Sequence, residues 1–370
     1  MKIMKNQAYI LSALALLLAS CTRITPASPD TGAPREITLA QPLVAPSTKA
    51  FAGEMPLNYS TDESFGVFAL YYPSGNFAGW ESTTGGFPYI DGAEFSYDSS
   101  IDDSSTGSGA WGANPGYYWP KGGKMTFAAY SPHRAAAAAD ALDYTASGLQ
   151  LTNFTTADSG AQQYDLMYSA RVYDKSDCSG TSSQYDGIDL IFRHALTSLH
   201  FNARSSVSTA VIKISKIVIY DIAKTGDFSE KVDETTPLTY SSSPAWNVSG
   251  KATYTEAAPL VVYEDTDDSA AALPTDGSTF LPIGTALPIP QDLTNAKLKV
   301  YYNIQLGSAD PVPTVSQALP LFGRTSGSDV INEWKMQTRY SYNLILGAQQ
   351  IRFSVDVRNW EDSSSEVRNE

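Results

Sequence analysis

The thiol of Cys21 is the side chain of this sequence whose surroundings best indicate a chemical reaction. Two lysines begin the chain, an apolar run fills residues 8–19, and Leu18-Ala19-Ser20-Cys21 closes it. That run is too short to remain as a membrane-spanning helix, and its small-residue ending is typical of a bacterial lipobox. There the chain is cut before the cysteine and the sulfur is acylated, which anchors a protein firmly when several acyl chains are present. The sequence therefore predicts a signal peptide at 1–20 and lipidation at Cys21. The alternative is an ordinary signal peptide that contains a cysteine.

Catalytic and metal-binding patterns are poorly represented. The chain has three histidines, of which His194 and His200 lie six apart in a strand-like stretch without a third ligand nearby. No Gly-x-Ser-x-Gly elbow, phosphate-binding loop or dinucleotide-binding glycine pattern occurs. Carboxylates cluster at 102–103 and 265–268, but without the glycine and downstream glutamate of a calcium loop. We expect no catalytic residue, no metal site and no cofactor. A secreted hydrolase whose carboxylates converge from separate loops is the alternative.

The net charge and the aromatic residues of the sequence indicate which classes of binding partner to expect. The formal charge is −14, and loss of residues 1–20 removes two lysines and no acids. Such an acidic chain is a poor partner for nucleic acid and has no polybasic membrane patch. With Cys21 acylated, Cys178 would remain unpaired, so no disulfide framework is available. The aromatic run Tyr117-Tyr118-Trp119 could stack on sugars or pack the rim of a β-sandwich.

The elements that would position these residues are β-strands. Apolar and polar residues alternate along 297–306 and 351–357, a pattern of half-buried antiparallel strands. Further strand-like runs are predicted at 65–72, 124–130, 189–202 and 210–222. Only 134–142 could form a helix, of one or two turns. The pattern predicts an all-β chain of two antiparallel β-sandwich domains in tandem. We expect a flexible tether at 21–35, an N-terminal domain at 36–183 and a C-terminal domain at 184–370, divided within the polar stretch 174–187.

Several segments, taken together and in order, resemble the fimbrillin family of Bacteroidales, the subunits of type V pili. The matching pieces are SFGVFA at 64–69, YYWP at 117–120, MTFAAYSP at 125–132, QYDLMY at 163–168, FRHALTSLHF at 192–201, Trp334 with RYSY at 339–342, and VDVRNW at 355–360. The resemblance spans roughly residues 36–361. It implies two transthyretin-like sandwiches, lipid-dependent export to the outer membrane, and polymerisation into a fimbrium with other subunits. In the family a trypsin-like protease removes the first strand, and a strand of another subunit fills the exposed groove.

The resemblance can be placed on particular residues. Residues 36–45 have Ile37, Leu39 and Leu43 on one parity and could plug such a groove, although Pro42 must bend the strand or lie at an edge. The following loop offers Lys49-Ala50 for cleavage, where the family more often has arginine. The candidate strand for donation to the next subunit is the alternating C-terminal segment with Ile351, Phe353, Val355 and Val357. Residues 36–45 could instead be a permanent first strand, and 351–357 could simply complete its own sandwich.

These observations favour a non-enzymatic structural subunit or adhesin of bacterial surface fimbriae. It would be exported as a lipoprotein and assembled by protease-triggered donor-strand exchange. Its partners would be other fimbrial subunits, the maturation protease, the outer membrane through the lipid anchor, and a host or bacterial surface ligand. The main alternative is a glycan-binding surface lipoprotein that does not polymerise.

Overall fold

The computed structural model describes residues 36–39, 41–45, 57–73, 86–100, 110–120, 124–145, 148–173, 188, 190–232, 242–327, 329–347 and 350–360. Over these residues the chain is built almost wholly from β-strands, which confirms the all-β prediction. Two short 3-10 helices lie at His133–Ala138 and Gly160–Gln162. The first falls in the stretch predicted as a helix, but it ends at Ala138, and the chain then extends into a strand.

The strands are numbered in chain order. The first twelve are β1 (Leu43–Val44), β2 (Leu57–Asn58), β3 (Phe65–Tyr72), β4 (Phe87–Asp98), β5 (Ala110–Ala113), β6 (Lys124–Ser131), β7 (Ala141–Thr145), β8 (Gly148–Thr155), β9 (Met167–Tyr173), β10 (Ile191–His194), β11 (Ser198–Ser205) and β12 (Ala210–Tyr220). The remainder are β13 (Ile222–Ala223), β14 (Thr225–Val232), β15 (Ser242–Asn247), β16 (Thr253–Tyr254), β17 (Leu260–Glu264), β18 (Leu281–Ala286), β19 (Lys297–Leu306), β20 (Val312–Val315), β21 (Leu319–Pro320), β22 (Arg324–Ser326), β23 (Asp329–Ile331), β24 (Thr338–Leu346) and β25 (Ile351–Asn359).

The first sandwich is organised around an eight-stranded sheet of order β2-β1-β10-β9-β6-β3-β4-β5. Both faces of its centre are buried, which explains the unbroken apolar run of β3. Phe65 and Val67 face one core, whereas Phe68 and Leu70 face a second core. The second core is closed by a smaller sheet of order β15-β14-β8-β7, which contributes Leu151 among others. A continuous apolar strand is the sequence signature expected when a sheet is covered on both sides.

The second sandwich packs two sheets face to face. One has the order β18-β11-β24-β25, and the other has the order β17-β12-β19-β20, with β21 also paired to β19. Alternate residues of β19 and β24 point into the shared core, which confirms the alternation predicted for most of 297–306. Strand β12 contributes Ile212, Ile214, Ile217 and Ile219 to the same core, on either side of a register shift. Two short ribbons, β13-β16 and β22-β23, complete the described strands.

Strand pairing departs from the sequence-based expectation in three ways. The pairs β1–β10 and β11–β24 are parallel, although antiparallel pairing dominates. The stretch 189–202 is two strands in different sheets rather than one, because residues 195–197 interrupt it. Strands β10, β14 and β15 lie beyond residue 184 yet belong to the sheets of the first sandwich. The sheets therefore do not divide at the predicted boundary of 183/184.

Candidate functional site: the first and last strands

The N-terminal segment, residues 36–39 and 41–45, pairs with strands of the first sandwich. The Ile37 N–H donates to Tyr117 O at 2.7 Å, and Leu39 exchanges bonds of 2.9 and 3.2 Å with Trp111. Further along, the N–H groups of Leu43 and Ala45 donate to carbonyls of residues 190 and 192 at 3.0 and 2.9 Å. The segment thus joins two parts of the sheet that are distant in sequence.

Four side chains of this segment are buried. Ile37, Leu39 and Ala45 have no exposed surface, and Val44 has 7%. Ile37, Leu39 and Val44 belong to a core with an aromatic centre. The rings of this centre lie 5.0–5.5 Å from one another and belong to Tyr59, Phe65, Trp111 and Phe192. The Tyr59 hydroxyl is bonded to Ser131 Oγ at 2.6 Å, and burial raises the pKa of Tyr59. We call the surface that receives these side chains the N-terminal groove.

The single-parity expectation for this segment is wrong at Leu43. Ile37 and Leu39 point inward, but Leu43 is only half-buried and its neighbour Val44 takes the interior position. Pro42, which lacks an N–H, lies between the two halves, and its carbonyl accepts from Tyr59 N at 2.8 Å. A proline cannot donate to a ladder, so the chain shifts its pairing partners there.

The C-terminal strand β25 is held differently. It pairs with β24 over its whole length, from Thr338 opposite Asn359 to Leu346 opposite Ile351. Of the four candidate donor side chains, Val355 is buried, whereas Ile351, Phe353 and Val357 are half-buried. In this structure the strand completes its own sandwich.

An aromatic stack follows directly after β25. The Trp360 ring lies 3.8 Å from the His194 ring with an angle of 7° between the planes, and both side chains are buried. The Trp360 N–H donates to Gln337 O at 3.0 Å, and His194 Nδ1 lies 3.0 Å from the Asp165 carboxylate. His194 belongs to β10 of the first sandwich, so this stack fastens the residue that follows β25 to that sandwich. We call it the C-terminal anchor.

The other residues singled out in the sequence lie apart from these strands or outside the described residues. Cys21, Lys49 and Ala50 lie outside the described residues. Trp119 is buried against Phe127, with ring centroids 5.9 Å apart, which leaves Tyr118 as the most exposed ring of the aromatic run at 40%. The run therefore packs mainly as part of the core, and Tyr89 donates its hydroxyl hydrogen to Tyr118 O.

The two histidines of the sequence analysis do not form a pair. His194 is in the buried stack of the first sandwich, whereas His200 lies in β11 of the second and contacts Ser198 Oγ at 3.0 Å. Among the described residues, no group of three or more His, Cys, Asp or Glu side chains could hold a metal ion. Within the same residues, no helix has the length and apolar character that a membrane span requires.

Comparison with known proteins assigns the chain to a family. The model of the fimbrillin-like family matches residues 48–360, most of the sequence. The chain belongs to the fimbrillin-like family. Members of this family are structural proteins, which agrees with the expectation of a non-enzymatic role.

Two solved structures that are similar to this fimbrillin-like chain share little sequence identity with it. A fimbrial protein from Bacteroides vulgatus is 16% identical with a TM-score of 0.51, covering 88% of this chain and 99% of its own. The tip fimbrial protein Mfa3 from Porphyromonas gingivalis, with a C-terminal truncation, is 11% identical with a TM-score of 0.36, covering 80% and 94%. A sequence search of the curated proteins finds no match.

Two structural features of the fimbrillin-like chain were not predicted from its sequence. The Trp360–His194 stack joins residues 166 positions apart, and neither residue stands out alone, although a tryptophan directly after an alternating strand is a usable signal. Trp111 exchanges backbone hydrogen bonds with Leu39 of the N-terminal segment, and its ring packs on Phe65 in the same core. It nevertheless lies in a short strand, β5, with little periodicity.

Proposed function

We propose that this protein is a subunit of a bacterial surface fimbrium that assembles by donor-strand exchange after proteolytic removal of residues before Ala50. The observation that carries the proposal is the burial of Ile37 and Leu39 in a segment that precedes the region shared with the family. The family model begins at residue 48, directly after the N-terminal segment. A segment that fills a core but lies outside the shared region is suited to be a temporary occupant.

Removal of the segment would create a site for another strand. The carbonyls of Trp111, Tyr117, Leu190 and Phe192 and the N–H of Trp111 would lose their partners. Unpaired backbone groups and exposed aromatic rings are both costly, and an incoming strand repairs both defects at once. The N-terminal groove therefore has the chemistry of a strand acceptor.

Cleavage after Lys49 by a trypsin-like protease would release the segment, because the lysine follows it in a Pro-Ser-Thr sequence. Treatment of folded precursor with such a protease should give a chain that starts at Ala50, and Lys49→Gln should block this product. Arg35→Gln is the matched control, since that residue precedes the segment and its loss should leave the product unchanged. A chain that retains residues 36–45 after exhaustive digestion would instead support a permanent first strand, as in an uncleaved anchor or tip subunit.

The strand offered to the next subunit would be the C-terminal one, with Ile351, Phe353, Val355 and Val357 as its apolar side chains. Its exposed edge and half-buried side chains favour release over that of a central strand. Burying four such side chains at an interface could contribute about 1.5–3 kcal/mol each before the entropic costs of association. Release would nevertheless break the ladder with β24, so donation has to compete with pairing inside one chain.

Export to the outer membrane as a lipoprotein would depend on Cys21. The Cys21→Ala variant should lose fatty-acid labelling and accumulate as uncleaved or soluble precursor, whereas Cys178→Ala should be labelled normally. Labelling and membrane fractionation that Cys21→Ala leaves unchanged would exclude lipid anchoring at this residue.

A further inference from the structure

The sheet of order β18-β11-β24-β25 has one face toward the core of the second sandwich and one face away from it. Strand β24 pairs with β11 and with β25 without a register shift, so residues of these three strands form straight rows across the sheet. Alternate residues of each strand lie on the face away from the core, because successive side chains point to opposite sides of a sheet. We call this surface of β11, β24 and β25 the arginine face, since it carries Arg204, Arg339, Arg352 and Arg358.

The four arginines lie in two rows at opposite ends of this face. In one row Arg339 is directly opposite Arg358, and in the other Arg204 and Arg352 lie on either side of Ile345. Arg352 and Arg358 are six residues apart in one strand, which corresponds to about 20 Å. Like charges directly opposite each other on neighbouring strands are destabilising. The stability of the sheet therefore does not explain the Arg339–Arg358 pair.

The arginine face is cationic, although the chain as a whole is acidic. Of the residues on this face, Asp356 alone is acidic, so four arginines accompany one carboxylate, whereas the chain has 25 basic and 39 acidic residues. Charges in water are screened over about 8 Å at physiological ionic strength. A ligand on this face would therefore interact with these arginines more strongly than with the carboxylates elsewhere on the molecule.

Contacts on the same sheet hold two of the guanidinium groups in place. The Arg204 guanidinium lies 5.3 Å from the ring centroid of Phe280, and the Arg358 guanidinium lies 2.9 Å from the Asp356 carboxylate. Arg352 and Arg358 are exposed, so both can be reached from solvent. Guanidinium groups bind carboxylates and similar oxyanions through paired N–H donors, and a group that is already oriented loses less entropy on binding.

Neutral hydrogen-bonding groups occupy the rows between the two pairs of arginines. The Asn202 side-chain NH₂ donates to Asn343 Oδ1 at 3.0 Å. Asn202 Oδ1 and the Asn343 NH₂ have no hydrogen-bond partner among the described residues. Ser341 and Ser354 add two hydroxyl groups on the same rows. Amides and hydroxyls of this kind can donate to and accept from the hydroxyl groups of a sugar.

We propose that the arginine face binds one chain of an acidic polysaccharide that runs along the strands. Its carboxylate or sulfate groups bond the arginines at the two ends of the face, and its hydroxyl groups bond the asparagines and serines between them. The face is about 20 Å long and about 10 Å across three strands, which suits one extended polymer chain. A specific protein interface buries about 800 Å² of each partner and has an apolar centre. On this face Ile345 is the one aliphatic side chain.

Single-stranded nucleic acid fits the face less well, because it is bound through aromatic rings on which its bases stack. The rows of β11, β24 and β25 on this face contain no Phe, Tyr or Trp. The proposal does not rest on strand exchange, because the uncleaved chain, in which β25 pairs with β24, carries the whole face. Donation of β25 would take Arg352 and Arg358 away from it, so the uncleaved protein is the form to test.

The test measures the affinity of purified uncleaved protein for three polysaccharides at about 0.15 M salt. Heparin supplies sulfate groups, polygalacturonate supplies carboxylates, and dextran is the neutral control. The double variant Arg352→Gln/Arg358→Gln should bind the acidic polysaccharide at least about tenfold more weakly, and Arg352→Gln alone about threefold more weakly. Arg134→Gln/Lys335→Gln removes two exposed charges elsewhere, each also in an ion pair, and should leave the affinity unchanged.

Circular dichroism first establishes that the variants are folded, and Arg352→Gln decides alone if the double variant is not. Binding of heparin or polygalacturonate that the arginine variants weaken and the control keeps supports the proposal, and the polysaccharide that binds identifies sulfate or carboxylate as the recognised group. Binding of neither, equal binding of dextran, or equal losses in the two double variants would overturn it. A single-stranded DNA oligonucleotide that binds as tightly would also overturn it. So would self-association in analytical ultracentrifugation that only Arg352→Gln/Arg358→Gln abolishes, because the face would then join copies of this chain.

Discussion

The first and last strands of this molecule are retained by opposite means. Residues 36–45 have short, interrupted pairing, but Ile37 and Leu39 are completely buried. Strand β25 has a regular ladder nine residues long, but three of its four candidate donor side chains are half-exposed. One strand is therefore held mainly by side-chain burial and the other mainly by backbone pairing and the anchor beyond its end. The contrast indicates that removal of residues 36–45 would leave a groove and that β25 is the strand that can be moved into such a groove.

The largest expected effect concerns the C-terminal anchor. Trp360→Ala removes the stack on His194 and leaves a buried cavity, which should lower the free energy of unfolding by about 3–5 kcal/mol. Because the anchor follows β25, its loss in Trp360→Ala should also make the amide protons of β25 exchange with solvent faster than those of β12. Chemical denaturation and hydrogen exchange measure the two effects, with Trp360→Phe as the control that keeps a ring in place. A loss below about 1 kcal/mol with unchanged exchange would contradict the role of the anchor.

The next effect compares side-chain burial in the two strands directly. Leu39→Ala should lower the free energy of unfolding of the precursor by about 2–5 kcal/mol, since Leu39 is fully buried among aromatic rings. Val357→Ala, at a half-buried position, should cost on the order of 1 kcal/mol. After cleavage at Lys49, the Leu39→Ala and unmodified chains would be identical. Urea denaturation of the precursor and of the cleaved form measures these free energies of unfolding. Equal losses of unfolding free energy in Leu39→Ala and Val357→Ala would refute the contrast between the two strands.

A smaller effect concerns the contact between the β22–β23 ribbon and strand β25. The Arg324 guanidinium lies 4.3 Å from the Phe353 ring centroid, and its Nε donates to Pro320 O at 2.8 Å. Arg324→Ala should therefore cost about 0.5–1 kcal/mol and loosen β25. Arg352→Ala, at an exposed position of the same strand, should change stability by less than about 0.5 kcal/mol. If the two variants destabilise equally, the ribbon does not hold β25.

Local patterns were sufficient to predict individual strands but not their partners. The bounds predicted for β3 agree with the structure, and the alternation predicted for β25 and for most of β19 is confirmed, because period two is a local property. Leu306, at the end of β19, is 60% exposed and departs from that alternation. The domain boundary failed to coincide with the sheets because β14 pairs with β8, some 70 residues earlier, and nothing in either strand specifies that contact. The same limit hid the Trp360–His194 stack, whose residues converge only in the folded chain.

The buried side chains of the N-terminal segment change parity at Pro42, from Ile37 and Leu39 before it to Val44 after it. Pro42 was expected to bend the strand or to lie at an edge, and the alternation was expected to continue to Leu43. A missing N–H changes the pairing register as well as the direction of the chain, so Val44 becomes the buried residue. The interior side chains of the segment are therefore Ile37, Leu39 and Val44.

The central claim, that the groove vacated by residues 36–45 receives the last strand of another copy, can be tested by cysteine crosslinking. In a Cys178→Ser background, Ile191→Cys marks the groove, because residue 191 lies opposite Leu43, and Val357→Cys marks the last strand. A short bis-maleimide is applied to precursor and to protease-matured protein. The account predicts ladders of crosslinked chains in matured material only. Crosslinks confined to single chains in both preparations would contradict it.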